Sequence, residues 1–450
     1  MWPREKASVP SVSAGAFLIA AILLCSSPIA VRAGQCSIHP VSYKGWSAQE
    51  IRNQWVRLTI VPKLGGRLMQ VAFGPHEYLF VNKKYEGKYL PPLEPGAPPK
   101  WYNYGGDKIW PLPEGRKDEQ HWPGPVADVL DDGDYAFSII SKGAACRVRL
   151  DGPPDARTGL QYSREIGLQA DSPKISFHAV MKNASAHAIE WSVQSVTQYN
   201  MANPPGDKAS AEFWAFTAAN ERSVYPGGYL VRSGEGKPPG LNIEKGLVAL
   251  SYRFLEYELW FDTQHGWLAV ADAATQYAMV ERFQVQDGKE YPGNATVIFY
   301  TNGSEPPDEP LYYMEAEINS PMVRLQPGET YAMDTEWYPT RAGEDVLEVR
   351  EAGVITKHLN VSNGPGTWRL TGSFGVFYPG RVVARFLDQD GKQISEVKLR
   401  SVTPSEPLNL QERINVPKGA NRLALHLLGS HSQDRGLLDE VSVVPGGARE

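Results

Sequence analysis

The sequence predicts an all-β protein in two parts, a large sandwich of two sheets followed by a small jelly-roll or sandwich module. Short segments in which apolar and polar residues alternate follow one another along most of the 450 residues, and this is the spacing of half-buried strands. Helical spacing is weak and occurs only at 47–54 and 212–219. The 42 glycines and 36 prolines separate the strand patterns in the way that turns do.

The strand patterns begin with a hairpin. At 55–61, Val56, Leu58 and Ile60 alternate with polar residues, and 68–73 returns after a Gly-Gly turn. The patterns that follow are 78–81, 135–140, 146–150, 159–168, 174–182, 189–200, 246–250, 256–261, 266–272, 278–286 and 296–300. Residues 83–126 interrupt this series with a long stretch rich in Pro and Gly, and connections of that length are commonly functional.

A boundary is predicted near 341–354, where a charged segment follows the last strand of the first part. The sequence therefore divides into a sandwich domain at 34–342 and a small β-sandwich domain at 343–445. The second part has its own short strand patterns, with an Asp390-Gly391 hairpin turn between two of them.

Residues 1–33 have the form of a secretory signal. Arg4 and Lys6 precede an apolar run at 14–24, and Ala33 offers a small residue for cleavage. The apolar run is too short to span a bilayer. We expect a secreted or periplasmic protein with no membrane insertion after signal removal. An uncleaved anchor is the alternative.

Two cysteines, Cys36 and Cys146, remain after cleavage at that site. An oxidising compartment would permit a disulfide between them, and two unpaired thiols are an equally good interpretation. Two cysteines without nearby histidines do not make a zinc site. We expect neither a metal nor a cofactor.

The charge and the aromatic content limit the partners. The chain has 45 Lys and Arg against 51 Asp and Glu, a net charge of −6. Because the cations are scattered, the sequence does not resemble a nucleic-acid binder or a polybasic membrane protein. Its 12 Trp and 21 Tyr suit the apolar faces of sugars. A saccharide or glycan is therefore the expected ligand.

The segment 312–331 contains the strongest candidate for chemistry. It is predicted as a strand, a short loop, a Pro-Gly turn and a second strand. In the first strand Tyr313, Glu315 and Glu317 share one face, while Met314, Ala316 and Ile318 form an apolar face. The two carboxylates would lie about 7 Å apart, at a rise of about 3.3 Å per residue. Such a pair suits proton transfer or the binding of a polar ligand.

A second candidate is the loop from Tyr104 to Trp110. Its glycines, Gly106 among them, allow close backbone approach to a ligand or to another strand. Asp107 and Lys108 add charge beside Trp110, as a sugar site requires. The alternative is a structural plug in which Trp110 covers the end of the sandwich.

The third candidate is the strand at 189–200. By alternation, Gln194, Gln198 and Asn200 share a face, and amides both donate to and accept from hydroxyls. A solvated outer face is the alternative. It is favoured for Gln194 and stays open for Gln198 and Asn200.

These motifs, in their order along the chain, resemble the galactose-mutarotase-like superfamily. They are Tyr-Gly-Gly-x-x-x-Trp-Pro at 104–111, Gln-Tyr-Asn at 198–200, and a strand Glu before Leu-Gln-Pro-Gly-Glu-x-Tyr at 325–331, with the hairpin at 60–68. More closely, they resemble an uncharacterised group of bacterial secreted proteins of that superfamily. The resemblance covers 55–338 and implies a β-supersandwich with a sugar cleft.

The resemblance also implies a reaction and residues for it. Aldose 1-epimerases of this superfamily use a Glu as base and a His as acid. The Glu corresponds to Glu317, with Glu315 as the alternative register, while the positions of the histidines correspond to Tyr104 and Val196. His121, beside Trp122, and His265 are the histidines that we expect could reach a cleft.

Two other functions stay open. The same cleft would serve a non-catalytic glycan-binding protein, and the second part resembles carbohydrate-binding sandwich modules of secreted glycan enzymes. A polysaccharide lyase would need cations and a tyrosine, for which Arg67, Lys108 and Tyr104 are available. Glu315 and Glu317 would repel the uronate that a lyase acts on.

Overall fold

Strands dominate the chain, which confirms the predicted all-β class. The computed structural model describes residues 34–90, 100–115, 118, 120–126, 129–202, 208–303, 311–342, 345–363 and 367–443. The predicted signal sequence at 1–33 lies outside the described residues. None of the described helices combines the length and apolar character that a membrane span requires.

Most strands before residue 342 are long and antiparallel. In chain order they are β1 (Ser37–Tyr43), β2 (Trp46–Arg52), β3 (Val56–Val61), β4 (Arg67–Phe73), β5 (His76–Glu77), β6 (Asp107–Leu112), β7 (Ala136–Ser141), β8 (Ala145–Asp151), β9 (Leu160–Gln169), β10 (Ile175–Asn183), β11 (Ile189–Asn200), β12 (Phe213–Ala218), β13 (Leu230–Ser233), β14 (Leu241–Glu244), β15 (Leu247–Ser251), β16 (Tyr257–Phe261), β17 (Trp267–Asp272), β18 (Tyr277–Phe283), β19 (Val297–Thr301), β20 (Tyr313–Asn319), β21 (Val323–Leu325) and β22 (Thr330–Arg341).

The remaining strands follow residue 345. They are β23 (Glu348–Val349), β24 (Gly353–Asn363), β25 (Trp368–Val376), β26 (Gly380–Leu387), β27 (Gln393–Val402), β28 (Leu408–Ile414), β29 (Arg422–Leu428) and β30 (Asp434–Ser442). Helical turns are short: α1 (Val129–Asp132) and 3-10 turns at Lys83–Tyr85, Pro226–Gly228, Pro292–Asn294 and Ser430–Ser432.

Two large sheets form the first part. The first has the order β1-β2-β3-β4-β6-β11-β20-β19-β16-β13, with β5 beside β4 and β21 beside β11; the second has the order β14-β15-β12-β17-β18-β22-β10-β9-β8-β7. The weak helical spacing at 47–54 and 212–219 does not correspond to helices, because those segments form β2 and β12. Each of these strands pairs with neighbours on both sides, and such ladders override weak local helix propensity.

The apolar faces of both sheets share one core. Met314, Ala316 and Ile318 of β20 belong to the same buried cluster as Phe177 of β10 and Met279 of β18. Burying this surface is the main favourable contribution to folding. The opposite face of β20 is left free to line a site.

A polar network lies within this otherwise apolar interior. Asp107 forms an ion pair with Arg164 of β9 and accepts a hydrogen bond from Thr197, with 2.9 Å between the oxygens. Nearby, the Tyr199 hydroxyl donates to Glu281 of β18 over 2.6 Å. Burial raises the pKa of Glu281 to about 8. This network links the first sheet to the second directly behind β6 and β11.

A disulfide joins Cys36, just before β1, to Cys146 in β8. It therefore connects the β1 side of the first sheet to the second sheet. Of the two interpretations that the sequence left open, the structure has the disulfide.

The strands after residue 345 form two four-stranded sheets, β23-β24-β25-β28 and β27-β26-β29-β30. Their apolar residues form one cluster with Phe216, Trp267 and Tyr338 of the second large sheet. The described chain after Val31 belongs to a single compact unit. The division into 34–342 and 343–445 therefore stays a prediction.

Removal of the disulfide should destabilise the sandwich. In the variant Cys36→Ala/Cys146→Ala, we expect the free energy of unfolding to fall by about 2–4 kcal/mol, because the disulfide closes a long loop in the unfolded chain. Urea denaturation measures this change. Wild-type protein treated with a reductant should show the same lowered midpoint, and an unchanged midpoint in both samples would contradict the prediction.

Glu281 should make stability depend on pH. Between about pH 4.5 and about pH 8 the unfolded chain has lost the Glu281 proton while the folded chain retains it, so this residue lowers stability as the pH rises. Relative to Glu281→Gln, wild-type protein should become progressively less stable over that range. Urea denaturation of both proteins across this pH range gives the difference in their unfolding free energies, from which the contributions of all other titrating groups cancel. A difference that stays constant with pH would refute the prediction.

Candidate functional site

A cleft of about 640 Å³ opens on the first sheet, on the face opposite the shared core. Its floor consists of alternate residues from six neighbouring strands: Trp110 and Leu112 of β6, Gln194 of β11, Glu315 and Glu317 of β20, Ile298 and Tyr300 of β19, Glu258 and Trp260 of β16, and Arg232 of β13. Loop residues, including Trp101, Glu114 and His121, complete the wall. Its size is that of a small-molecule site.

The orientation predicted for the acidic strand is confirmed. Glu315 and Glu317 line the cleft while Met314, Ala316 and Ile318 enter the core. Both carboxylates are only 6% exposed, so their charges are poorly screened by water. Their hydrogen-bond partners and the neighbouring charges therefore dominate their surroundings.

Glu315 has two donors behind it. Lys108 Nζ lies 3.2 Å from its Oε1, and the Gln198 side-chain amide donates to the same oxygen over 2.8 Å. Lys108 is buried, and its ammonium lies 4.5 Å from the centre of the Trp110 ring. Burial lowers the pKa of Lys108, and the neighbouring Glu315 opposes that shift. Both donors stabilise a carboxylate at Glu315.

Glu317 has different neighbours from Glu315. Its carboxyl accepts a hydrogen bond from the side-chain amide of Gln194. Burial, followed by the charges of Glu315 and Glu258, raises the pKa of Glu317 well above its ordinary value, and Lys108 opposes this only in part. The surroundings of Glu317 therefore favour its protonated form more strongly than those of an exposed glutamate would.

A third carboxyl, Glu258, lies two strands away from Glu315. The Trp260 indole N–H donates to Glu258 over 2.6 Å. Burial raises the pKa of Glu258, while Trp260 and Arg232 lower it. The Arg232 guanidinium lies 4.9 Å from the centre of the Trp260 ring.

Asp131, on the short helix α1, holds the tryptophans at the other end of the cleft. Its carboxylate accepts from the indole N–H groups of Trp110 over 2.9 Å and Trp101 over 3.3 Å. It also pairs with Arg67, whose Nη2 lies 2.7 Å away. All of these groups except Trp101 are buried. One carboxylate thus fixes two aromatic rings of the site.

Six of the predicted site residues converge on the cleft. Glu315, Glu317, Trp110 and His121 line it, while Lys108 and Gln198 lie behind the lining and bond to Glu315. His121 is partly exposed, and its Nδ1 lies 2.5 Å from Asp118. His265 lines a separate pocket with Arg222 and Gln264.

Tyr104 and Gly106 do not line the cleft, which corrects their predicted roles. Tyr104 is fully buried against Trp46 and Tyr85, and its hydroxyl accepts from the Leu90 N–H. Tyr104 points away from the cleft because Gly105 and Gly106, which follow it, both have positive φ and turn the backbone before β6 begins. A Cβ on Gly106 would lie 2.7 Å from the Leu68 carbonyl oxygen. The glycines therefore serve close strand packing.

Arg67, Asp107, Trp122 and Asn200 are also absent from the cleft lining. Arg67 is engaged by Asp131, and Asp107 faces the interior ion pair with Arg164. Trp122 is buried against the ring of Trp110, with 5.4 Å between the ring centres. The Asn200 side chain accepts from the Ala202 N–H at the end of β11. These four residues support the site from behind or lie beside it.

Several site residues were missed. Gln194, for which a solvated face was favoured, is buried and bonds to Glu317. No sequence pattern singled out five further residues of the site: Asp131, Arg232, Glu258, Trp260 and Tyr300. Alternation in β16 does place Glu258 and Trp260 on one face, but only the strand order shows that this face belongs to the cleft. No group of three or more acidic, His or Cys side chains among the described residues is arranged to hold a metal ion.

Solved structures are similar to this chain, whereas comparisons by sequence find no match. No protein-family model matches the chain, and no curated protein matches it. A galactose mutarotase-like protein from Clostridium acetobutylicum is 10% identical, with a TM-score of 0.45, over 68% of this chain and 99% of that chain. A putative aldose 1-epimerase from Escherichia coli K12 is 11% identical, with a TM-score of 0.42, over 68% and 99%.

A TPR-domain containing protein from Parabacteroides distasonis is 13% identical, with a TM-score of 0.46. That match covers 70% of this chain and 54% of that chain, so this chain matches about half of that protein's length. Galactose mutarotase-like and aldose 1-epimerase structures are thus among those to which this fold is similar.

Removal of the Asp131 charge should loosen the tryptophan end of the cleft. In Asp131→Asn we expect a loss of about 3–5 kcal/mol in unfolding free energy, because Arg67 would keep a buried, uncompensated charge. Intrinsic tryptophan emission should also change as Trp101 and Trp110 lose their charged acceptor. Asp132→Asn, one residue along the chain and partly exposed, is the matched control. Equal stability and emission in the two variants would argue against this role of Asp131.

Proposed function

We propose that this chain is a carbohydrate-active protein that binds a saccharide in the cleft and catalyses an aldose 1-epimerase-type reaction. The observation that carries the proposal is the pair of unlike carboxyls on β20. Glu315 forms an ion pair with Lys108, and burial raises the pKa of Glu317 well above its ordinary value. A proton acceptor and a proton donor thus lie two residues apart on one rigid strand.

This pair matches the needs of anomer exchange. Glu315 takes the proton of the anomeric hydroxyl while Glu317 gives its proton to the ring oxygen, and the bond between that oxygen and the anomeric carbon breaks. Rotation of the resulting aldehyde and the reverse proton transfers close the ring as the other anomer. Both carboxyls return to their starting states, so no co-reactant is needed.

The assignment of acid and base differs from the one implied by the superfamily resemblance. There Glu317 was the expected base and a histidine the acid. Here the raised pKa of Glu317 makes it the donor, and the hydrogen bonds from Lys108 and Gln198 make Glu315 the acceptor. His121 is not needed for either transfer. It lies at the wall, beside Asp118.

The lining favours a neutral ligand over a uronate. Glu315 and Glu317 both face the cleft, Lys108 is already paired with Glu315, and the lining cation Arg232 is three strands away from them. Arg67 and Tyr104, which a lyase would need, are engaged elsewhere. The lyase hypothesis is therefore not part of the proposal.

A non-catalytic glycan-binding protein is the second candidate. It is favoured by the hydrogen bonds that already hold both carboxyls, from Gln194 to Glu317 and from Gln198 to Glu315. Such fixed groups suit the recognition of sugar hydroxyls. The test below separates the two candidates.

Export from the cytoplasm is a further part of the proposal. It follows from the signal-like pattern at 1–33, and the Cys36–Cys146 disulfide supports it. Disulfides persist in oxidising compartments such as the periplasm.

Glu315→Gln and Glu317→Gln should each abolish catalysis of anomer exchange. Loss of a general acid or base commonly lowers the rate by about 10²–10⁴-fold. Exchange NMR on a panel of free neutral aldoses measures the rate above the buffer background. Glu190→Gln is the matched control, since Glu190 is an exposed carboxylate elsewhere on β11.

The two candidates give different results in this experiment. The epimerase proposal requires wild-type exchange above background that both cleft variants lose and the control keeps. Saccharide binding with background exchange in the wild type would establish the non-catalytic protein. Exchange that survives in Glu315→Gln and Glu317→Gln would disprove the roles of these residues.

A further inference from the structure

We propose that the cleft binds a saccharide of two or more residues, because the part beyond the carboxyl pair is a second, separately built sugar subsite. Its principal residues are Arg232, Glu258, Trp260 and Tyr300, and the turn at Pro292–Asn294 forms its wall. The sugar chemistry of the ligand rests on the proposed function. The number of sugar residues rests on the geometry of this half of the cleft.

The cleft extends well past the carboxyl pair. The strand order from β20 continues through β19 and β16 to β13, so Arg232 is three strands from Glu315 and Glu317. At about 4.8 Å per strand, this extension is about 14 Å. In register, Tyr300 lies opposite both Glu315 and Glu258, and Ile298 lies opposite both Glu317 and Trp260. The floor is therefore continuous from the reacting pair to the far end.

Trp260 is held in place at this end by contacts of several kinds. Its indole N–H donates to Glu258, and the Arg232 guanidinium lies 4.9 Å from the centre of its ring. Trp260 is nevertheless only partly buried, whereas Leu259 and Phe261 on either side of it are in the core. A large aromatic ring that is fixed but left partly open suits the apolar face of a sugar.

The wall beside Trp260 is also fixed. Gly293 has φ +55°, and a Cβ at that position would lie 2.3 Å from an atom of the Trp260 ring. The turn can therefore approach the ring this closely only with glycine. The Tyr225 hydroxyl donates to the Gly293 carbonyl oxygen over 2.5 Å. The backbone of the turn is thus anchored against the aromatic ring.

The polar groups of this end complement the aromatic ring. Glu258 accepts hydrogen bonds, and the exposed Arg232 donates them, so the hydroxyls of one sugar residue would have partners of both kinds. The first sugar residue would occupy the carboxyl pair, and the next would extend over Tyr300 to Trp260. A single monosaccharide would leave Trp260 and Arg232 without a role in binding.

The test compares affinities for saccharides of increasing length. Titration calorimetry on full-length protein with glucose, galactose and mannose, and with their homo-oligosaccharides of two and three residues, gives the ratio of trisaccharide to monosaccharide affinity. We expect a ratio of at least about tenfold for the best series, which corresponds to about 1.4 kcal/mol of additional binding free energy. Trp260→Ala and Arg232→Ala should each lower that ratio.

Controls separate this effect from misfolding. Trp260→Phe retains an aromatic face and should keep most of the ratio. Trp214→Ala removes a partly buried tryptophan on β12 of the second sheet and should leave the ratio unchanged. Equal affinity for one and three residues, or a ratio that Trp260→Ala leaves intact, overturns the second subsite while the proposed function stands. No binding of any saccharide would instead remove the proposed function and this inference together.

Discussion

The burial of one ammonium among two carboxyls is the constraint on which the site depends. If Lys108, Glu315 and Glu317 were all ionised, the group would hold one negative charge in excess where little water reaches it. Removing charges from water is costly, so a buried group of this kind retains a proton instead. Lys108 and Gln198 both bond to Glu315, whereas burial and the charge of Glu315 raise the pKa of Glu317. The two carboxyls differ because their neighbours differ.

Contacts from the rest of the sandwich hold Lys108 in place despite the cost of removing its ammonium from water. Along β6, Asp107 and Lys108 face opposite ways, so the ion pair of Asp107 with Arg164 fixes the strand from the interior. On the cleft side, the Trp110 ring covers the ammonium, and Asp131 fixes that ring. These contacts explain why two charged residues can follow one another in a fully buried strand. They also make the interior network and the cleft parts of one electrostatic arrangement.

The sequence was sufficient to predict which side chains share a face of a single strand. Alternation in β20 correctly placed Glu315 and Glu317 on one face, and alternation in β11 grouped Gln194 with Gln198. It was insufficient to predict which strands lie side by side. Glu258 and Trp260 line the cleft because β16 is separated from β20 only by β19, and that order is not evident in the sequence. Tyr104 was misassigned for a local reason. Alternation does not continue through Gly105 and Gly106, whose positive φ values turn the chain away before β6 begins.

The same electrostatic arrangement is the basis of the proposed chemistry at an anomeric centre, in which two carboxyls replace the glutamate and histidine implied by the superfamily resemblance. That reaction needs two groups of unequal proton affinity within reach of two oxygens on one carbon. Alternate residues of a strand supply the spacing, and a buried lysine closer to one of them supplies the inequality. Glu258 adds to it, because its charge raises the pKa of Glu317 further.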